Sequence, residues 1–332
     1  MNRRTFTTSF VAFALAATLT GCGLGNSIVG VHDAPAERTD VAPLNIDGAE
    51  NVAARVLDEA AAARGAKGAD AAKAQSAVLA GAALTQAQAA TKLGTVGNAD
   101  PLQRASDPQV VSISRGKAWP RAILVGTLDE ASKTQTLHVL MSTAAADPFK
   151  VYASVPMLPG TSVPAMDDLA NGAPLVKPDD KTGAPLAPNQ GLGAYAAALN
   201  YPKPVANAAV ATKDAFATAL QASTAGQVKA LGALASFAQQ HTLIPKETVA
   251  FRLKDGGSVV FGQLTRADTF TASAGAKELG IPATYAKLVG NKKTTPKKLQ
   301  ITSLENIVMV IPAKGAATVV AADEQLVSGT AQ

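Results

Sequence analysis

Leu137-His138-Val139-Leu140-Met141-Ser142-Thr143-Ala144-Ala145-Ala146-Asp147-Pro148-Phe149-Lys150-Val151-Tyr152-Ala153-Ser154-Val155 is the stretch that decides the fold. Leu137, Val139 and Met141 alternate with His138 and Leu140, and the alternation is clean from Phe149 to Val155. A period of two places every second side chain on one face, as in a half-buried strand. Ala145 to Pro148 reads as the turn between the two strands. Upstream, Val110-Val111-Ser112-Ile113 and Ala122-Ile123-Leu124-Val125 read as two further strands, and Asp129 to Lys133 as another turn. Strands joined by short polar turns predict an antiparallel meander.

Outward from this meander the period changes. Residues 49–92 are Ala-rich, with Val52, Val56 and Leu57, and later Val78, Leu79 and Leu84, at helical spacing. Alanine favours helix, and Gly65-Ala66-Lys67-Gly68 separates two helices. On the other side, residues 156–190 hold seven prolines, too many for a helix or a central strand. The order then repeats. Leu192–Leu199 reads as a short helix and Asp214–Gln240 as a longer one, with Phe216, Leu220, Val228, Leu231 and Leu234 on one face. Strands follow at Thr248–Leu253 and Ser258–Leu264, joined by the hairpin signal Asp255-Gly256-Gly257. Tyr285–Val289 reads as a helical turn. Leu299–Ile311 and Thr318–Val327 are strands turned at Lys314-Gly315. Helices then a meander, twice, predict an α+β protein of two tandem domains, each with helices packed on a curved antiparallel sheet. The expected divisions are residues 1–21, 22–48, 49–156, a Pro-rich connector at 157–190, and 191–330.

The first two segments read as an address. Arg3 and Arg4 precede a short apolar run from Phe10 to Leu19, which is shorter than the about 20 residues a membrane span needs. Leu19-Thr20-Gly21-Cys22 closes it in the manner of a lipobox, an aliphatic residue and two small ones before Cys. Cys22 is the only cysteine of the chain; it has no internal disulfide partner, and acylation would cap the thiol. Residues 1–21 are therefore expected to be an export signal and Cys22 the lipidated first residue of the mature chain. Asn2-Arg3-Arg4-Thr5-Phe6 also resembles a twin-arginine motif, although Thr7-Thr8 replaces the Leu-Lys that usually follows; general secretory and twin-arginine export both stay open. Residues 22–48 carry Gly, Asn26, Ser27, Pro35 and Pro43 without a period, and read as a tether. The expected location is the cell membrane, lipid-anchored on the extracytoplasmic face.

The chain also resembles a family of uncharacterised actinobacterial lipoproteins. The resemblance rests on the lipobox at Cys22, on Trp119-Pro120-Arg121 entering the first sheet, and on Leu158-Pro159-Gly160 with Ser162-Val163-Pro164 after it. Ala194-Tyr195-Ala196-Ala197-Ala198-Leu199 and the final two-strand hairpin complete it. It implies two cystatin-like domains of the nuclear transport factor type, and it brings no reaction and no catalytic residues.

Little in the sequence points to chemistry. Of 332 residues 47% are apolar and only 4% aromatic, and the net charge is +5, too mild to indicate nucleic acid. The three histidines, His32, His138 and His241, are not at metal-ligand spacing. His138 reads as an outward or satisfied strand residue, His241 as the end of a helix. Ser114-Arg115-Gly116-Lys117 matches S-x-x-K and Lys181-Thr182-Gly183 matches K-T-G. In penicillin-recognising enzymes that serine opens a helix, whereas Ser114 ends a strand. Asp167-Asp168 and Asp179-Asp180 read as turns, Trp119 as a core or cap residue. Lys287, Lys292, Lys293, Lys297 and Lys298 form the clearest charge feature, a candidate contact for anionic lipid or cell-wall polymer set against a merely solvated loop. No catalytic, cofactor or metal residue is expected. The expected role is a non-catalytic binding module for a small ligand or cell-wall polymer. The alternatives are a structural or assembly partner of another envelope protein and, more remotely, a hydrolase.

Overall fold

The computed structural model describes residues 40–94, 100, 102, 107–181 and 183–332. The export signal, Cys22 and the tether up to residue 39 lie outside them. Asp40–Gln332 forms one compact unit. Helix α1 (Ile46–Gly65) opens it, with the Asn45 side chain accepting from Gly48 N at 2.8 Å as its N-cap. Helices α2 (Ala71–Val78) and α3 (Gly81–Leu93) follow. Their break at Leu79-Ala80 was not foreseen; there Ala80 N donates to Val151 O at 2.9 Å and ties the turn to the sheet. Strands β1 (Gln109–Ile113), β2 (Arg121–Asp129), β3 (Thr134–Ser142) and β4 (Lys150–Pro156) form an antiparallel meander in that order, as the alternation predicts.

The second half begins with α4 (Pro188–Leu199) and α5 (Ala215–Leu231). Strands β5 (Ala235–Leu243), β6 (Val249–Arg252), β7 (Ser258–Ala272), β10 (Lys298–Ile311) and β11 (Thr318–Ala331) form one antiparallel sheet of order β11-β10-β7-β5, with β6 also on β7. Between β7 and β10 lie the two-residue strands β8 (Leu279–Gly280) and β9 (Thr294–Thr295) and the one-turn helix α6 (Ala283–Ala286).

Strand β5 corrects the sequence reading. Residues 214–240 were expected to be one helix, but the helix stops at Gly232, whose φ of 53° lies in the left-handed region. The strand that follows buries every second residue: Ala235, Phe237, Gln239 and His241. Half of that buried set is polar, so hydrophobicity does not reveal the period. His241 thus sits inside a strand, not at a helix end.

The alternation also sets the layers. In β2, Ile123 and Val125 face α1 and α3, where Ala49, Ala53, Val56 and Ala60 pack against them. Leu124 and Ala122 face the other way. In β7, Val260 and Leu264 meet Leu192 and Tyr195 of α4, while Val259 and Phe261 face away from it. The two outward sets meet. Leu124, Val139, Phe251, Phe261, Val308 and Val310 form one apolar layer between the sheets. The order through the unit is helices, first sheet, second sheet, helices. Each fully buried Phe in the shared layer contributes about 1.5–3 kcal/mol.

The Pro-rich segment laces the two sheets together. Ala173 N donates to Ile113 O at 2.8 Å beside the first sheet, and Arg252 N donates to Pro174 O at 2.9 Å beside the second. Leu158 N donates to Val320 O at 2.8 Å. Proline supplies no N–H for a central ladder, but the neighbouring residues use their own to cover strand edges.

Candidate functional site

The polar side chains that matter lie on the helix-facing side of the second sheet, beyond its apolar end. Continuing the alternation of Val260 and Leu264, β7 places Arg266 and Asp268 on this face, β10 places Ser303 and Glu305, and β11 places Glu324. Strand β5 adds Gln239 and His241. Arg266 is the hub. Its Nε donates to Asp268 at 3.1 Å and its Nη1 to Glu305 at 3.0 Å; Nη1 also bonds Glu324. Burial alone would lower the Arg266 pKa, but Asp268, Glu324 and Glu305 together hold it above its ordinary value. His241 Nδ1 lies 2.8 Å from Glu305 Oε2, with both side chains fully buried. Gln239 Nε2 donates to Asp268 at 2.8 Å, and Thr224 of α5 donates to Gln239 Oε1 at 3.3 Å.

Helix α5 roofs this network, and α4 supports the roof. Asp214 caps α5 by accepting from Ala217 N at 2.8 Å, and it also accepts from the Tyr195 hydroxyl at 3.1 Å. Burial, then the Asp214 carboxylate, pushes the Tyr195 hydroxyl well above its usual range, so it remains a donor. Between α5 and the network is a cavity of about 440 Å3. Arg266, Asp268 and Gln239 form its floor, Ser223 and Gln227 its α5 wall, and Tyr285 one end. Glu324, with its side chain 47% exposed, brings a carboxylate to the mouth. Carboxylates outnumber the one guanidinium here; two amides, the Ser223 and Tyr285 hydroxyls and the apolar Phe216, Ala219 and Leu220 complete the lining. Such a wall suits a ligand that presents several hydroxyl groups.

Other sequence candidates are placed elsewhere. Lys287, Lys292, Lys293 and Lys297 are exposed and Lys298 is half-buried, around α6 and β9. Lys287 Nζ donates to Leu93 O at 3.3 Å, at the C-terminal end of α3, and Lys292 Nζ to Ala331 O at 3.2 Å. Ser114 is buried and its hydroxyl accepts from Ala122 N at 2.9 Å, while Lys117 is exposed. The hydroxyl is thus engaged with the sheet backbone. Thr182 of the K-T-G match lies outside the described residues. His138 is fully buried in β3 with Nε2 2.8 Å from Thr127 Oγ1, and burial lowers its pKa to about 3; the outward option for it is excluded. Trp119 is not a core residue: it is half-buried, with the Arg121 guanidinium 4.4 Å from its ring centroid. Asp167 pairs with Arg115 at 2.5 Å. Among the described residues no group of three or more His, Cys, Asp or Glu is arranged to hold a metal ion, and no helix is long and apolar enough to cross a membrane.

Sequence reasoning missed Arg266, Asp268, Glu305 and Glu324. Their signal is present: Arg266-Ala267-Asp268 keeps the period of the strand Ser258–Leu264, and Glu305-Asn306 interrupts the apolar run from Leu304 to Ile311. Comparison with family models, with curated proteins and with solved structures gave no match.

Proposed function

We propose that this chain is an extracytoplasmic lipoprotein, held at the cell membrane through lipid on Cys22, that acts as a non-catalytic binding module. Its ligand is a small hydroxylated molecule or the end of a cell-wall polymer, seated beneath α5. The observation that carries this reading is the cavity of about 440 Å3 whose floor is the Arg266 network. The network is fixed by mutual ion pairs before any ligand arrives, so the cavity walls need little reorganisation on binding. The lipobox supplies the anchor, and two acyl chains on one glyceryl group suffice for stable anchoring. The exposed lysines from Lys287 to Lys298 then supply a second, electrostatic contact with anionic lipid or polymer. Helices laid on an antiparallel sheet, twice, are also what a pair of cystatin-like units would look like, and we retain that kinship as part of the proposal.

The assembly-partner alternative calls for a contiguous apolar patch. The exposed large apolar side chains among the described residues are Ile46, Val205 and Leu234, from three different segments, which supports the binding reading instead. The test is calorimetric titration of the full chain in detergent with soluble cell-wall glycan fragments. Saturable binding is expected, weakened about tenfold in Gln227→Ala, which leaves the buried network intact. Absence of binding across the fragments would overturn the proposal.

A further inference from the structure

A second cavity lies on the opposite face of β11. Asp323 precedes Glu324 and so points the other way, toward α3. There it accepts from Gln86 Nε2 at 2.6 Å and from Asn306 Nδ2 at 2.9 Å. Burial pushes its carboxyl up to about 6, against the two amide hydrogen bonds that pull it down. Beside it is a space of about 300 Å3. Ala83, Ala87 and Ala90, successive small residues on one face of α3, leave the room for it. Arg64 of α1 and Ser154 of β4 complete the wall.

Two polar atoms in this wall are buried and unpaired. Arg64 is 6% exposed; its Nε donates to Asp100 at 2.7 Å and its Nη2 bonds the same oxygen, but Nη1 has no partner among the described residues. Ser154 is 5% exposed and its hydroxyl has none either. Buried polar atoms are nearly always satisfied, and each exception calls for a reason. Two of the nine such atoms among the described residues belong to side chains that line this one cavity, opposite a carboxyl group.

The chemistry selects the occupant. Arg64 Nη1 can only donate and so needs an acceptor, which an ammonium, having only donors, does not supply. The charge of Arg64 is already balanced by Asp100, and Asp323 and Glu324 add negative charge, so an anion is repelled. A neutral hydroxyl group both accepts and donates. We propose that this cavity is a binding site for a neutral polyol or monosaccharide unit, which accepts from Arg64 Nη1 and the Ser154 hydroxyl and donates to Asp323. The site adjoins the one beneath α5, with Asp323 and Glu324 in the walls of both, but Arg64, Gln86 and Ser154 belong to it alone, and it does not rest on that reading.

The test is calorimetry on the full chain in detergent with glucose and inositol as probes, glucuronate and glucosamine as charged controls, and hydrogen exchange to locate the bound probe. Ser154→Ala removes one partner, and Arg64→Lys keeps the positive charge beside Asp100 while removing Nη1. The expected result is saturable binding of a neutral probe, slowed exchange around Gln86, which lines this cavity alone, and a Kd raised about fivefold to tenfold by either variant. Four results would overturn the site. They are no saturable binding at tens of millimolar, as for a cavity that holds only water; preference for a charged control; slowed exchange confined to Ser223–Gln227; and a Kd unchanged by both variants.

Discussion

Arg266 shows what a single buried charge does for this sheet. It holds three carboxylates that strands β7, β10 and β11 bring to one face. The Glu305 side chain is fully buried and that of Asp268 nearly so. Removing the guanidinium leaves both without their cation, and breaking a buried pair in this way costs about 3–5 kcal/mol. Arg266→Ala should therefore lose about that much stability in urea unfolding; a loss under about 1 kcal/mol would mean that water reaches the site. His138 gives a pH signature. Its folded pKa is about 3 against the ordinary histidine value of about 6.5, so the unfolded chain takes up the proton first. Stability from this group is complete above about 6.5 and falls as pH drops toward 3, by about 1.4 kcal/mol per pH unit. Asp323 has the opposite sign, since its folded pKa is raised to about 6 and its contribution shrinks as pH rises from about 4 to 6. The difference between the native chain and His138→Asn isolates the histidine: between pH 7 and 4.5 the native chain should lose about 2–3 kcal/mol more than the variant. At this scale the sequence was least legible. Arginine and glutamate carry no mark of burial, and only their place in a strand period betrays it.

At the scale of elements the sequence was legible wherever period and hydrophobicity agree. Strands β2, β3 and β4 were placed within a few residues from their apolar residues; β7 was given its start at Ser258 but ended at Leu264, eight residues short of Ala272, because Arg266 and Asp268 break its apolar run. Strand β5 was missed because its buried positions include Gln239 and His241, and because Ala-rich residues 215–231 invite extension of the helix. The Pro-rich segment was read as a connector between two domains. Its pairing with the edges of both sheets depends on distant partners that no local pattern encodes. The contact of α4 with β7 depends on Gly262, where a Cβ would overlap Leu192 Cδ1, and Leu192 is fully buried. Gly262→Ala should cost about 1–3 kcal/mol by overpacking, measured as a lowered denaturation midpoint. An unchanged midpoint would show that Leu192 has a second rotamer to move into.

For the molecule as a whole, the consequence of the shared apolar layer is cooperativity. Phe251 belongs to the second sheet but is buried against the first. Trp119, the only tryptophan, enters the first sheet at β2. Phe251→Ala should cost about 3–5 kcal/mol, and the loss should shift the unfolding midpoint seen by Trp119 fluorescence together with that seen by far-ultraviolet circular dichroism. A shift in dichroism alone would mean that the halves unfold separately. Repeating helix-then-meander order was visible in the sequence; the stacking of the two sheets was not, because an inward face reads the same whether it meets helices or another sheet. At the same scale, Cys22→Ala should release the protein from the membrane into the medium, and continued membrane association would contradict a lipid-only anchor.

The central functional claim is that the cavity beneath α5 holds the ligand. Hydrogen exchange of the full chain in detergent, with and without soluble cell-wall glycan fragments, tests it most directly. The account predicts slowed exchange in α5 from Phe216 to Gln227 and in β7 at Arg266–Asp268. Binding that leaves α5 unprotected, or no binding by any fragment, would contradict it.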